Sequence, residues 1–213
     1  MTDDTVDVDS NVGGDVTVGA MLDSATEDLA QQIANSVESF LLALRAIARE
    51  NDVGSAIPLL LLEITQISLA GARIGVQTDF TPRDEYQPDV GPEADLEDLR
   101  LRLAGMLDPI DTYSYVFDPY VPEVVDSLLS DDITAIASDL ENGLRHYRSG
   151  DVDEALWWWQ FSYVASWGNL AGVALNALLS VVSHNRLDQD FTLDAEDVAA
   201  ADEMLEEGEP LPS

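Results

Sequence analysis

Apolar residues recur every three or four positions along most of the chain, which is the spacing of amphipathic helices. The pattern predicts helices over residues 26–50, 58–75, 93–107, 130–147 and 152–185, and a short acidic helix over 195–206. No run of alternating β-branched residues stands between turn signals. The sequence therefore predicts an all-α fold, a compact bundle of five to six helices.

Local signals refine the ends of these helices. Pro58 suits the first turn of the second helix, and Ser130 suits the N-cap of the fourth. Gly150 suits its C-cap, and Asp151 followed by Glu154 resembles a capping box for the fifth helix. The proline-containing segments 78–92 and 108–124 are expected to be irregular.

The fifth helix is apolar and aromatic, and residues 155–183 contain no charged side chain. About 20 apolar residues suffice to cross a bilayer, but amides such as Gln160, Asn169 and Asn176 cost free energy in lipid. We therefore expect a long helix at the centre of a soluble bundle. Its aromatic residues suit either the core or a partner interface. The candidates for contact with a ligand or partner are Trp157, Trp158, Trp159, Tyr163 and Trp167.

Charge divides the chain into three parts. The chain has 42 acidic residues against nine basic ones, all arginine, for a net charge of −33, and 18 of the acids lie in residues 1–30 and 188–213, which have no arginine. We expect a disordered acidic lead over 1–22, a bundle domain over 23–187 and an acidic tail with a short helix over 188–213. The lead has no signal-peptide pattern, so we expect a cytoplasmic protein.

The same composition excludes several functions. Scarce, unclustered cations argue against direct binding to nucleic acid and against docking on anionic lipid. The absence of cysteine excludes disulfides, thiolate metal sites and thiol nucleophiles. No zinc-hydrolase, nucleophile-elbow or P-loop motif occurs. The sequence thus predicts no catalytic residue and no cofactor.

Two polar sets are the remaining candidates for chemistry. Asp132, Asp139 and His146 recur every seven residues and so share one edge of the fourth helix. Together with acids from another helix they could hold a metal for hydrolysis, but one step of seven residues is about 10.5 Å, too long for a single ion. Interhelical hydrogen bonding is the other interpretation.

The second set lies on the apolar second helix, where a carboxylate needs a partner. Glu63, Gln66 and Arg73 could point into a small-ligand pocket or take part in structural ion pairs. Because Glu63 and Arg73 are about 15 Å apart along the helix axis, we expect Arg73 to pair elsewhere, with Asp132 or Asp139.

Several linked motifs resemble one bacterial family. They are S-D-D-I at 130–133, D-L at 139–140, H-Y-R-S-G at 146–150, A-L-W-W-W-Q-F-S-Y at 155–163 and W-G at 167–168. As a set over roughly residues 28–190 they resemble domain of unknown function 5063. Motifs further upstream resemble its actinobacterial branch: A-I-P-L-L-L-L-E at 56–63, G-A-R-I-G at 71–75, E-Y-Q-P-D-V-G-P at 85–92 and D-T-Y-S-Y-V-F-D-P-Y at 111–120. The resemblance implies a helical cytoplasmic protein with no assigned activity.

An uncharged aromatic helix without a catalytic motif favours a non-enzymatic role. We expect an interaction or adaptor protein that docks a protein partner through an aromatic helical face, with self-association as a homodimer also open. The alternatives are a metal-dependent hydrolase and a small-ligand-binding helical protein.

Overall fold

The computed structural model describes the backbone of residues 12–50, 53–83, 90–92 and 94–207, and within these ranges the side chains of 24–187 except Phe117. The elements in chain order are α1 (Val12–Ile47), α2 (Val53–Gly75), α3 (Glu97–Leu107), β1 (Thr112–Asp118), β2 (Val121–Leu128), α4 (Leu129–Ser149), α5 (Val152–Ser162), a π-helical turn (Tyr163–Trp167) and α6 (Gly168–Glu207). The prediction of a mostly helical fold is confirmed.

One face of each bundle helix supplies the core, as the apolar spacing predicts. α2 packs against α1 and α6, while α4 packs against α5 and α3. The largest fully buried side chains come from α1 to α5 and from the π-helical turn, and include Phe40, Leu44, Leu60, Ile64, Ile67, Ile74, Leu103, Ile133, Trp159 and Trp167. Burying one such aliphatic side chain contributes about 1.5–3 kcal/mol.

Small residues bring the aromatic rings close to the neighbouring helices. The Trp159 ring occupies the space that a Cβ at Gly143 would need. Tyr163 and Trp167 lie in the same way against Gly71 of α2. The glycines on α2 and α4 are therefore packing positions for the rings of α5 and of the π-helical turn that follows it.

A β-hairpin is the main departure from the expected all-α fold. β1 and β2 pair antiparallel, from Thr112 with Leu128 to Val116 with Val124, within the segment for which the prolines predict an irregular path. Both prolines of the hairpin avoid the paired region of β1, because Pro119 lies in the turn and Pro122 near the start of β2. A two-stranded ribbon has open edges on which proline is tolerated.

Several helix ends also differ from the prediction. α2 begins at Val53, so Pro58 lies inside the helix rather than in its first turn. α1 begins at Val12, inside the expected disordered lead, and residues 1–11 of that lead lie outside the described part. The predicted fifth helix is interrupted by the π-helical turn, and α6 then runs to Glu207 and includes the expected separate helix.

Of the three helix caps predicted from the sequence, the structure contains one and lacks two. Gly150 ends α4 in the left-handed conformation at φ 91°, as predicted. Ser130 does not cap α4 with its own side chain; instead the Asp111 carboxylate accepts hydrogen bonds from the Ser130 backbone N–H and hydroxyl, each at 2.8 Å. Asp151 makes no side-chain cap, so the expected capping box is absent.

α2 is less covered than its apolar sequence suggests. Leu59, Leu62 and Leu69 are 44%, 50% and 65% exposed, on the side away from the buried residues. Two helical stretches, Val53–Gly75 and Val152–Leu187, are long and apolar enough to cross a membrane by length and composition alone. Both stretches also supply core residues, such as Ile64 and Trp159.

Candidate functional site

The aromatic residues of the α5 region divide between core and surface. Trp159 and Trp167 are buried, at 0% and 1% exposure. The indole N–H of Trp159 donates to the Leu140 carbonyl at 3.0 Å, and that of the half-buried Trp158 donates to the Asp139 carbonyl at 2.8 Å. Trp158 and Trp159 therefore anchor α5 to α4, and Trp159 and Trp167 are too buried to contact a partner.

Two rings on the remaining side of α5 form a surface. Trp157 stacks on Phe161 with ring centroids 5.2 Å apart and planes only 6° from parallel. Phe161 is 53% exposed, and Val164, one turn further along, is 66% exposed. Both rings line an adjacent groove of about 350 Å³. We call the lining of this groove the Trp157–Phe161 surface. It consists of Asp79, Phe80, Trp157, Gln160, Phe161, Val164 and Ala165.

The loop after α2 forms the opposite wall and is held in place by α5. The buried Gln160 accepts a hydrogen bond from the Phe80 backbone N–H at 2.8 Å and donates to the Ile74 carbonyl at 3.1 Å. Three residues further along the loop, the Arg83 N–H donates to Glu154 Oε1 at 2.7 Å. Glu154 therefore fixes the loop instead of closing the predicted capping box.

The three residues of the α4 edge have separate surroundings. The buried Asp132 accepts hydrogen bonds from the Tyr113 hydroxyl at 2.5 Å and from the Ser127 hydroxyl at 3.0 Å. Burial and the Asp132 carboxylate raise the pKa of Tyr113 far above its usual range. Asp132 thus ties both strands of the hairpin to α4.

Further along α4, Asp139 and His146 face other neighbours. Burial raises the pKa of Asp139, and a hydrogen bond with Ser166 of the π-helical turn partly offsets this effect. Burial lowers the pKa of His146, against the influence of nearby Glu154. Nowhere in the described part of the chain are three or more His, Asp or Glu residues placed to share a metal ion, so these side chains do not converge.

The α2 candidates do not form one pocket either. Glu63 and Gln66 border a groove of about 200 Å³ against α1, and partial burial raises the pKa of Glu63. Arg73 instead donates to Gln32 Oε1 of α1 at 2.6 Å. The expected pairing of Arg73 with Asp132 or Asp139 is wrong, because those carboxylates have the partners described above.

The sequence prediction missed Asp111 and Tyr113, which hold the start of α4 and the hairpin together. A signal for them existed, because Tyr113, Tyr115 and Phe117 alternate with smaller residues as in a strand. It also missed Phe161 as the exposed member of the aromatic pair, since an uncharged helix does not reveal its solvent side.

A family model called "Domain of unknown function (DUF5063)" matches residues 24–184. The chain belongs to this family. A search of curated proteins finds no match for this DUF5063 member. Its fold is similar to the crystal structure of protein BF1032 from Bacteroides fragilis, with a TM-score of 0.57 and 17% identity over 70% of this chain and 89% of that one. At this identity the likeness shows the fold alone.

Proposed function

We propose that the chain is a non-enzymatic protein-interaction module of the cytoplasm that docks a partner protein through the Trp157–Phe161 surface. The observation that carries the proposal is a stacked aromatic pair beside a groove, with Phe161 53% exposed, on a helix whose other large rings pack against the core. Exposed apolar patches with rigid aromatic residues are typical of protein interfaces.

The groove is already formed in the unbound chain. Gln160 is 7% exposed and bonds backbone groups on both sides of the loop that forms the far wall. Phe80 and Phe161 are therefore held on opposite sides of the groove. A preformed site avoids part of the entropic cost of ordering side chains and loops on binding.

Charge defines the chemistry of the partner. Asp79 lines the groove, and the chain as a whole carries −33. A partner segment with one apolar anchor residue flanked by Arg or Lys matches both features. The acidic field attracts such a segment over distances of about one Debye length, roughly 8–10 Å at physiological salt. The same field disfavours direct contact with nucleic acid and anionic membranes.

The alternative functions have less support in the geometry. A hydrolase built on Asp132, Asp139 and His146 would need convergent ligands, but Asp132 is occupied by the hairpin. A ligand pocket built on Glu63 and Arg73 would need both groups in one cavity, but Arg73 bonds to α1.

The test selects binding peptides from a random displayed library, using the wild-type chain as bait and Phe161→Ser as the counter-bait. The matched control is Leu42→Ser, which removes an apolar side chain 67% exposed on α1. We expect the selected peptides to share an apolar residue next to Arg or Lys. Their affinity should fall about tenfold or more for Phe161→Ser, a change of about 1.4 kcal/mol, and be unchanged for Leu42→Ser.

Two results would contradict the proposal. One is a set of selected peptides that binds Phe161→Ser as tightly as the wild-type chain. The other is a library that yields no peptide at all, while circular dichroism shows that the bait is folded.

A further inference from the structure

A second groove, of about 670 Å³, lies between the hairpin and α6. One wall consists of successive residues of β1 from Thr112 to Val116, and the other includes Gly172, Asn176 and Ser180 of α6. Since side chains of a strand alternate between its two faces, a wall made of five consecutive residues is the edge of the strand. The groove thus follows the edge of β1.

This edge has no strand partner among the described residues. The sheet has the order β1-β2, so β2 occupies only one side of β1. An open edge presents backbone donors and acceptors on which another strand can add. The groove therefore runs beside five residues of an open strand edge, to which an extended segment can add.

The outer part of the hairpin is apolar and uncovered on both faces. Val124 is 72% exposed, Val121 57%, Val116 43% and Val125 41%. An isolated two-stranded ribbon is at best marginally stable in water, and three or more strands are normally needed. The hairpin has the composition of a strand pair inside a larger sheet.

Charge indicates which chain completes that sheet. None of the described residues that line the groove is charged, although the chain carries 42 acids. The acids of the hairpin are outside this lining: Asp118 is at the far end of β1, and Glu123 and Asp126 are on β2, where Asp126 accepts a hydrogen bond from the Ser114 hydroxyl at 2.6 Å. The net charge of −33 opposes association of two copies at low salt, so a contact between copies needs a surface without charged side chains and enough salt to screen the rest; the lining of this groove is such a surface.

We propose that two copies of the chain form a dimer by pairing β1 with β1 antiparallel about a two-fold axis. The product is a four-stranded sheet of order β2-β1-β1-β2, in which each β1 fills the groove of the other copy. Such an interface is isologous, so it closes at two copies. It does not depend on the Trp157–Phe161 surface, which lies on a different part of the chain.

Gly172 allows the most direct test, because it lies in the groove wall and a Cβ there would meet nothing within 4 Å. Gly172→Arg therefore adds a long side chain to the groove wall from a position where the Cβ itself meets no neighbour. Gly105→Arg is the matched control, since Gly105 is also a helical glycine with open space around it, on α3. Sedimentation velocity over micromolar concentrations in high KCl, where repulsion is screened, measures the association.

We expect the wild-type chain and Gly105→Arg to form dimers and Gly172→Arg to associate at least about tenfold more weakly, a change of about 1.4 kcal/mol. A wild-type chain that stays monomeric over this range would overturn the proposal. So would a Gly172→Arg variant that dimerises as the wild-type chain does. In the monomeric case, the edge is left for a strand from a different protein.

The absence of native cysteine permits a second test of the strand pairing itself. Single cysteines are placed in turn at each position from Thr112 to Val116, with Val124→Cys on β2 as the control. In an antiparallel pair about a two-fold axis, one residue of β1 faces its own copy at about 4.5–5.5 Å between Cβ atoms, close enough for a disulfide after small adjustment. We expect cross-linking to peak at one β1 position and to be low at Val124→Cys. Equal cross-linking at all positions would contradict the pairing.

Discussion

At the scale of single residues, two helical glycines test how tightly the core is packed, because one faces a buried ring and the other faces open space. Gly143→Ala puts a methyl group into the Trp159 ring, whereas Gly105→Ala puts one into open space. We expect Gly143→Ala to destabilise the fold by about 1–3 kcal/mol through overpacking. Gly105→Ala should stabilise it by about 0.5–1 kcal/mol, because alanine loses less backbone entropy in a helix. Urea denaturation measures both, and equal effects of the two changes would show that the ring does not fix Gly143.

A helix cap can be predicted from the sequence when the capping residue alone determines the backbone conformation. It cannot be predicted when the hydrogen-bond partner is distant in the sequence. Gly150 is an example of the first kind, since its left-handed φ needs no partner. Ser130 and Glu154 have good local cap patterns, but Asp111 lies 19 positions from Ser130 and the Arg83 N–H lies 71 positions from Glu154. The nearest pattern in sequence therefore suggests the wrong partner.

At the scale of elements, Asp132 of α4 holds both strands of the hairpin, and Tyr113 donates the shorter of the two hydrogen bonds. Tyr113→Phe removes the hydroxyl that donates to the buried Asp132 carboxylate. The change should cost about 1–3 kcal/mol, because hydrogen bonds to charged, buried acceptors are the stronger ones. Tyr120→Phe removes a hydroxyl from a residue that is 93% exposed and should have almost no effect. Thermal melts give the stability difference, and hydrogen exchange should show faster exchange of β1 and β2 amides in Tyr113→Phe only. Protection that is unchanged in both variants would mean that Asp132 does not anchor the hairpin.

Helices are predictable where a polar face marks the solvent side. α1 and α4 are such cases, and apolar residues at three- and four-residue spacing along them, among them Val37, Leu44, Ile136 and Leu140, are buried as this spacing predicts. α2 and α5 have so few charges that periodicity cannot distinguish buried from exposed apolar positions. For that reason the sequence gives no warning that Leu69 and Phe161 face outward, at 65% and 53% exposure.

At the scale of the whole molecule, repulsion among the acidic side chains opposes the compact fold. Seven Arg–carboxylate pairs, among them Arg45 with Glu141 at 3.1 Å, occur in the described residues. Most of these are surface pairs, each worth about 0–1 kcal/mol and weakened by salt. Repulsion among the excess acids, a net charge of −33, is weakened by salt as well. With nine arginines for 42 acids, relief of repulsion should exceed the loss of the ion pairs.

We therefore expect the melting temperature to rise as KCl increases from low to high concentration. The measurement should use Gly172→Arg at low protein concentration, so that salt-dependent dimerisation, which by itself stabilises the folded chain, does not contribute. Sucrose at matched osmolality is the control, because it favours the compact state without screening charge. A rise with KCl that sucrose does not reproduce would show that acid repulsion opposes folding. A melting temperature independent of KCl would mean that the acids are too far apart, or too well solvated, for their repulsion to affect stability.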